Sequence, residues 1–294
     1  MWIQQSVRRE KSSGILYVVP TPIGNLEDMT FRAIRMLKEA HVIAAEDTRN
    51  TKKLCRHFEI DTPLVSYHEH NKNRSGEKLI ADLEQGKDIA LVSDAGMPAI
   101  SDPGCELVKT CLSRRLPVVP LPGASAALPA LVASGLATDR FFFYGFLPRG
   151  KKERKQQLAE LKAITVPLIF YEAPHRLKDT VAAMAEIFGN RRVCVVREMT
   201  KAYEEWARGD LPAINEWLDG QAEPKGEFCV VVGGATGKNE EETPWWAELT
   251  AAEHVRHYVE IRGMAAKDAV KRTAVERGVP KREVYGTYHT GDEE

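Results

Sequence analysis

The chain is 294 residues long, with 43% hydrophobic and 28% charged residues, the make-up of an ordinary folded protein of one large or two smaller domains. Its 41 lysines and arginines meet 42 aspartates and glutamates, a net charge of −1. A wholly basic nucleic-acid binder is thereby excluded, while local basic patches are not, because affinity for phosphate follows the patch and not the total. The longest apolar stretches, such as 141–147, fall far short of the roughly 20 residues that span a membrane. The first fourteen residues lack the apolar core of a signal peptide, and the five cysteines form no C-x-x-C. The expectation is a cytoplasmic protein with reduced cysteines, no membrane segment and no metal.

From residue 15 onward, short apolar runs alternate with amphipathic stretches. The runs at 15–19, 42–45, 64–67, 89–92 and 118–121 are near-continuously apolar, as strands buried on both faces must be. Helical spacing lies between them, marked by Ile34 and Leu37, by Leu79, Ile80 and Leu83, and by Leu107, Val108, Cys111 and Leu112. This alternation predicts a parallel α/β sheet. A basic run at 149–155 reads as a linker entering a helix, and further strands are expected at 168–171, 193–196 and 228–232. An acidic, polar break follows at 237–244. Beyond it, Thr250 and Glu253 have the spacing of a capping box, and Gly263, Gly278 and Pro280 punctuate a small helical tail. The expected organisation is an extension at 1–13, an α/β domain at 14–148, a second at 149–236, a linker at 237–249 and an RNA-binding helical tail at 250–294.

The unusual residues cluster just past the C-terminal ends of the expected strands, where ligands bind in open α/β sheets. After the first strand comes PTPIGNL, a rigid turn containing Asn25. After the second comes AEDTR, which sets Glu46, Asp47 and Arg49 side by side; helix capping alone would account for one of its acids. The third is followed by His68-Glu69-His70, short of a third metal ligand, with Lys72 and Arg74 nearby. SDAGMPAISDPG follows the fourth strand and is longer than a normal βα connection; its small residues let a ligand approach the backbone. The fifth leads into PLPGASAA, where small residues open a helix. The Gly123–Ala127 stretch falls short of a nucleophile elbow, and Lys152 stands where a P-loop needs Ser or Thr. In the second half, YEAPHR and REMTK again pair a carboxylate with cations, suggesting a cleft wall.

Together VVPTPIGNLEDMT, AAEDTR, LVSDAGMPAISDPG, PLPGASA, FYEAPHR, REMTK and KGEF resemble the tetrapyrrole-methylase-like methyltransferases, and more narrowly those that methylate the cytidine 2′-oxygen of small-subunit (16S) ribosomal RNA. The likeness runs from about residue 14 to 234. It implies two α/β domains with S-adenosylmethionine in the cleft between them, usually as a homodimer, acting on 16S ribosomal RNA in the small subunit. Carried onto this chain, the family pattern puts the cofactor against Ser93, Asp94, Ala95, Gly96 and Ser101, against Gly123, Ala124, Ser125 and Ala126, and against Tyr171 and Met199. Met97 departs from the threonine often found there. A ribose hydroxyl must lose its proton, which calls for a carboxylate base; Glu46 and Asp47 are the first candidates and Glu198 the next. The expected RNA contacts are Asn25, Arg49, His68, His70, Lys151, Lys152, Arg176, Lys201, Lys267, Lys271 and Arg272. A tetrapyrrole substrate and a non-catalytic ribosome-binding role are the alternatives. The first leaves the basic stretches at 149–155 and 267–282 unused, and the second leaves the long fourth-strand loop unused.

Overall fold

The computed structural model describes residues 1–4, 13–100, 102, 104–235, 246 and 249–290, with side chains up to 288. Ser101, most of the 237–249 linker and residues 5–12 of the N-terminal extension lie outside the described residues. The chain divides into two compact units, Met1–Ala235 and Thr236–Glu294.

The first unit opens with five parallel strands, β1 Leu16–Val18, β2 Val42–Ala45, β3 Leu64–Ser66, β4 Ile89–Val92 and β5 Val118–Pro120, in the order β3-β2-β4-β1-β5. β2 and β4 are buried at every position, which is why their sequences carry no polar alternation. The connections include helices α1 Phe31–Glu39, α2 Thr48–His57, α3 Lys72–Glu84 and α4 Gly104–Ser113. Thr30 caps α1 by accepting from the Ala33 N–H, and Asp47 caps α2 by accepting from the Arg49 N–H. Met36, Leu37, Val19 and Ile43 fill the core on one face, and Leu79, Leu83, Leu91 and Leu107 fill it on the other.

Helix α5, Ala127–Ser134, leads to a second sheet of β6 Phe142–Phe146, β7 Leu168–Glu172, β8 Arg192–Arg197, β9 Glu205–Asp210 and β10 Phe228–Val232, in the order β6-β7-β10-β8-β9. Its other helices are α6 Lys151–Leu161, α7 Leu177–Phe188 and α8 Leu211–Asp219. Two features of this half depart from the sequence reading, the strand directions and the point where the chain changes sheets. This sheet is mixed: β6 and β7 are parallel, while β10 runs antiparallel to both β7 and β8, and β9 antiparallel to β8. The basic run at 149–155 does lead into a helix, as the short turn after β6 and the start of α6. Because β6 pairs with β7, the chain changes sheets before Phe142, ahead of the boundary that composition places at 147–150. β6 escapes a period-two reading because a register shift falls between Phe143 and Gly145, and β9 because it is a charged edge strand, EWARGD.

In the second unit, α9 Ala251–Arg256 runs on through one π-turn at His257–Ile261, followed by α10 Ala266–Arg277 and α11 Lys281–Thr290. The Thr250–Glu253 capping box forms as its spacing indicates. Val255, Tyr258, Val270, Ala274 and Val284 make its core. Among the described residues no helix is long and apolar enough to cross a membrane, and none of the five cysteines is in a disulfide.

One polar tie secures the mouth of the second sheet. Glu172 is buried, accepts from the Thr180 hydroxyl at 2.6 Å and from the Ala173 N–H at 2.9 Å, and pairs with Arg176 at 3.3 Å. Arg176 in turn donates to the carbonyls of Leu147 and Pro148 at 2.7 and 3.0 Å, pinning the chain beyond β6 to the end of β7. Removing one partner of a buried pair strands the other's charge, at about 3–5 kcal/mol. Arg176→Ala is therefore expected to destabilise the chain by roughly that amount in chemical denaturation, and an unchanged midpoint would show that the tie carries no load.

Candidate functional site

The strand register decides which loops meet. Ala45 lies opposite Val92 across the β2–β4 pair, so Glu46 and Ser93 leave the sheet side by side. β1 lies on the other side of β4, and beyond its end Thr21 and Gly96 exchange two backbone hydrogen bonds, at 2.9 and 3.0 Å. The Thr21 hydroxyl donates to the Ser93 carbonyl at 3.2 Å. In the second sheet, Phe228 at the start of β10 lies opposite Glu172 at the end of β7 and Arg197 at the end of β8. The antiparallel insertion of β10 thus gathers three strand ends at one edge.

A cavity of about 490 Å³ opens where these edges meet, within the usual range for a small-molecule site of roughly 300–1,000 Å³. The first sheet lines it with Ile23, Glu46, Ser93–Met97, Ile100, Asp102, Ser125 and Ala126; the second with Phe146, Tyr171–Pro174, Val196, Met199 and Glu227–Cys229. Two glycines shape the approach. Gly96 has φ +76°, a conformation that side chains resist, and a Cβ there would only touch Ile23, at 3.4 Å, so the backbone and not space calls for glycine. A Cβ on Gly123 would stand 2.8 Å from the Pro20 side chain. Ala99 is held at φ +66°, a strained value for a non-glycine residue, while Asp102 accepts from the Ala99 and Gly104 N–H groups at 2.8 and 2.6 Å. The acid thus locks the long loop as it enters α4.

Of the expected cofactor residues, Ser93, Asp94, Ala95, Gly96, Ser125, Ala126, Tyr171 and Met199 line this cavity together. Gly123 and Ala124 do not line it; Gly123 lies against Pro20 and the Ala124 carbonyl near Gly96. Ser101 is outside the described residues. Asp94 has a second duty, accepting the Asp47 N–H at 3.0 Å and so tying the fourth-strand loop to the start of α2. Tyr171 faces Ser125 and the N–H groups of Ala126 and Ala127, but burial dominates and raises its hydroxyl pKa.

The three carboxylates expected as bases part ways. Glu46 faces the cavity, and burial, with Asp94 and Asp102 nearby, raises its pKa. Asp47 does not line the cavity. It caps α2 and grips the exposed Arg49 guanidinium at 2.6 Å, which draws its pKa down to about 2. Burial would raise Glu198, but the Lys201 ammonium at 2.9 Å and the Glu227 N–H outweigh it and hold it low. Asp47 and Glu198 are thus structural carboxylates, poor proton acceptors by environment.

The expected RNA contacts scatter. Arg176 is spent on Glu172 and two carbonyls, and Lys201 on Glu198 and Glu227. Arg272 stacks over Tyr258 and binds Glu276. Asn25 caps a short 3-10 turn at Leu26–Asp28 by accepting from the Glu27 N–H. His70, Lys151, Lys152, Lys267 and Lys271 are exposed. His68 is half-buried beside Glu46's cavity edge, close enough to lower that acid's pKa in part. Among the described residues no group of three His, Cys, Asp or Glu is placed to hold a metal ion. Sequence reasoning missed Phe146, Val196, Glu227 and Cys229. The KGEF string contains Glu227 and ends one residue before Cys229, but only antiparallel pairing brings the start of β10 to the site.

Compared with known proteins, residues 15–215 match the tetrapyrrole (corrin/porphyrin) methylases. A protein of Bacillus subtilis (strain 168) named ribosomal RNA small subunit methyltransferase I is 58% identical over 287 residues, 97% of this chain and 98% of that one. Its namesake in Synechocystis is 45% identical over 273 residues, 92% of this chain and 96% of that one. Among solved structures, cobalt precorrin-4 methyltransferase superposes with a TM-score of 0.58 at 14% identity, over 78% of this chain and 98% of that one. Uroporphyrin-III C-methyl transferase from Thermus thermophilus, complexed with S-adenyl homocysteine, superposes with 0.53 at 21%, over 75% and 97%. These two likenesses speak for the fold alone.

A carboxylate whose pKa is raised in the folded state binds its proton more tightly there. Its ionisation therefore costs stability as pH rises through the folded pKa, and the cost vanishes below the ordinary value of 4.5. Glu46→Gln is expected to raise the melting temperature at neutral pH and to leave it unchanged near pH 4. A neutral-pH loss of stability would mean that the carboxylate is held by contacts and not strained by burial.

Proposed function

The chain belongs to the tetrapyrrole (corrin/porphyrin) methylases, and from that premise we propose that it is an S-adenosylmethionine-dependent methyltransferase acting on the 2′-oxygen of a cytidine ribose in 16S ribosomal RNA. The observation that carries the reading is the near-full-length likeness to proteins named ribosomal RNA small subunit methyltransferase I.

The cavity suits the cofactor. Its lining joins apolar surface from Ile23, Ile100, Phe146 and Val196 to polar groups of Ser93, Asp94 and Ser125, as a ligand with a flat aromatic part and a charged amino-acid part requires. The left-handed turn at Gly96 keeps the loop backbone bare of a side chain beside it. When bound, S-adenosylmethionine supplies an electrophilic methyl group. The residues of this chain then have two tasks. Ser93–Gly96 and Ser125–Ala126 hold and orient, because fixing the reacting atoms at about 3–3.5 Å removes the entropic cost of their meeting. Glu46 accepts the proton of the 2′-hydroxyl at its carboxylate; its raised pKa makes it a better base than an exposed glutamate. Asp47 keeps α2 in place through its cap and Asp94 through the Asp47 N–H. His68, His70, Lys151 and Lys152 are proposed to face the RNA, with Lys267 and Lys271 adding phosphate contacts from the tail. We further read the enzyme as a homodimer working in the cytoplasm on the small ribosomal subunit; the exposed apolar side chains Leu128 and Val132 of α5 suit a self-association surface.

The test is to offer unmethylated small ribosomal subunits and a tetrapyrrole precursor with labelled S-adenosylmethionine. Label in 16S RNA is expected, and label only in the tetrapyrrole would overturn the reading. Glu46→Gln should keep cofactor binding by calorimetry and lose roughly 10²–10⁴-fold in methylation, while Asp47→Asn, which preserves the cap, should keep most of its activity. Deleting 245–294 should spare cofactor binding and weaken that of RNA.

A further inference from the structure

Helix α2 has a composition that nothing in the cofactor site explains. Its ten residues, TRNTKKLCRH, include Arg49, Lys52, Lys53 and Arg56 and no acid. All four stand exposed, three or four residues apart along the helix, while Thr51 and Cys55 face the core. Residues at that spacing are neighbours on one face, so the four cations form a ridge. Arg49 is neutralised by its cap partner Asp47; among the described residues no ion pair reaches Lys52, Lys53 or Arg56. Like charges at this spacing cost the helix a few tenths of a kcal/mol per pair, and of the three only Arg56, in the last turn, is favoured by the helix dipole. Helix α10 differs, because there Arg272 and Tyr258 both engage Glu276. A ridge that costs its own helix stability is what an anionic ligand would repay.

A second, smaller hollow of about 240 Å³ lies at the foot of this ridge. On one side it is lined by Asn50, Thr51, Lys53 and Leu54 of α2; on another, by Thr21, Pro22, Gly24 and Leu26 of the loop after β1; and by Ser93 and Asp94. Those last two residues also wall the large cavity. The two spaces therefore adjoin at Ser93–Asp94, next to the strand end that carries Glu46.

We propose that α2 is the rail along which a single-stranded RNA segment lies, with the base of the nucleotide to be methylated seated in the smaller hollow and its ribose reaching past Ser93–Asp94 to Glu46 in the large cavity. This rests on the function proposed above and names the acceptor subsite. The phosphates fall along Lys52, Lys53 and Arg56, which position the strand without reading it. The Asn50 amide, carrying both a donor and an acceptor, meets the base edge. The strand is single because only an unpaired nucleotide can be splayed out of its stack into a hollow.

The test is the triple variant Lys52→Gln/Lys53→Gln/Arg56→Gln in the full chain. Glutamine is a good helix former and removes the repulsion, so the melting temperature should hold or rise and calorimetric S-adenosylmethionine binding should match wild type. Binding to 16S RNA transcript is measured between 50 and 200 mM salt. Each lost phosphate contact on a single strand lowers the log–log salt slope by about 0.7, so three lower it by about 2. With unmethylated small subunits the KM should rise while kcat is largely kept. Asn50→Ala should reduce methylation at unchanged salt slope. If wild type methylates the subunits and the triple variant has the same slope and KM, the rail is overturned and the function stands. If wild type methylates none, the function falls and the rail with it. A loss of slope confined to Lys267→Gln/Lys271→Gln would place the phosphates on the tail and also overturn the proposal.

Discussion

The site depends on the adjacency of β2, β4 and β1 in one parallel sheet. Parallel strands point their C-terminal ends the same way, so whatever follows them must share one edge. The register fixes this to the residue: Glu46 next to Ser93, with Thr21 closed onto Gly96 beyond. Once that edge exists, the remaining features are consequences. The carbonyl of Ser93 meets the Thr21 hydroxyl, the Asp94 carboxylate reaches the start of α2, and Asp102 holds the loop through its strained turn at Ala99.

Electrostatics then divides labour among acids that look alike in sequence. Glu46 and Asp47 are neighbours in the chain, yet one is half-buried near other carboxylates and the other grips a guanidinium. Their proton affinities move in opposite directions. Asp94 stands between them, tying the α2 cap to the loop that lines the large cavity.

Much of the first sheet was legible because its strands are buried on both faces and punctuated by Pro, Gly and Asn; β2 and β4 fall where their apolar runs do. The loops after them were legible for the same reason, since an over-long connection of small residues stands out between short ones. The second sheet was harder. β9 alternates no core face that a pattern can detect, and β6 shifts register at Gly145. Nor does any local signal say that β10 inserts between β7 and β8, which is what delivers Glu227 and Cys229 to the cavity. Charge was the least legible quantity. Arg176 and Lys201 read as free cations and are consumed by buried or half-buried acids, whereas Lys52, Lys53 and Arg56 of α2 meet no ion pair among the described residues, on a helix whose acid-free composition is unremarkable until its face is seen.

The central place of β10 has a consequence for how the protein is made. The first sheet is complete once Pro120 has been synthesised, and its contacts can form as the chain emerges, as N-terminal units generally do. The second sheet lacks its middle strand until Val232 has left the ribosome, because β7 and β8 do not pair with each other and meet only through β10. Until then two apolar strands have open edges and the cavity lacks one wall. The nascent chain therefore carries a finished half-site while the second sheet is still being made, and the complete chamber closes in a single late step.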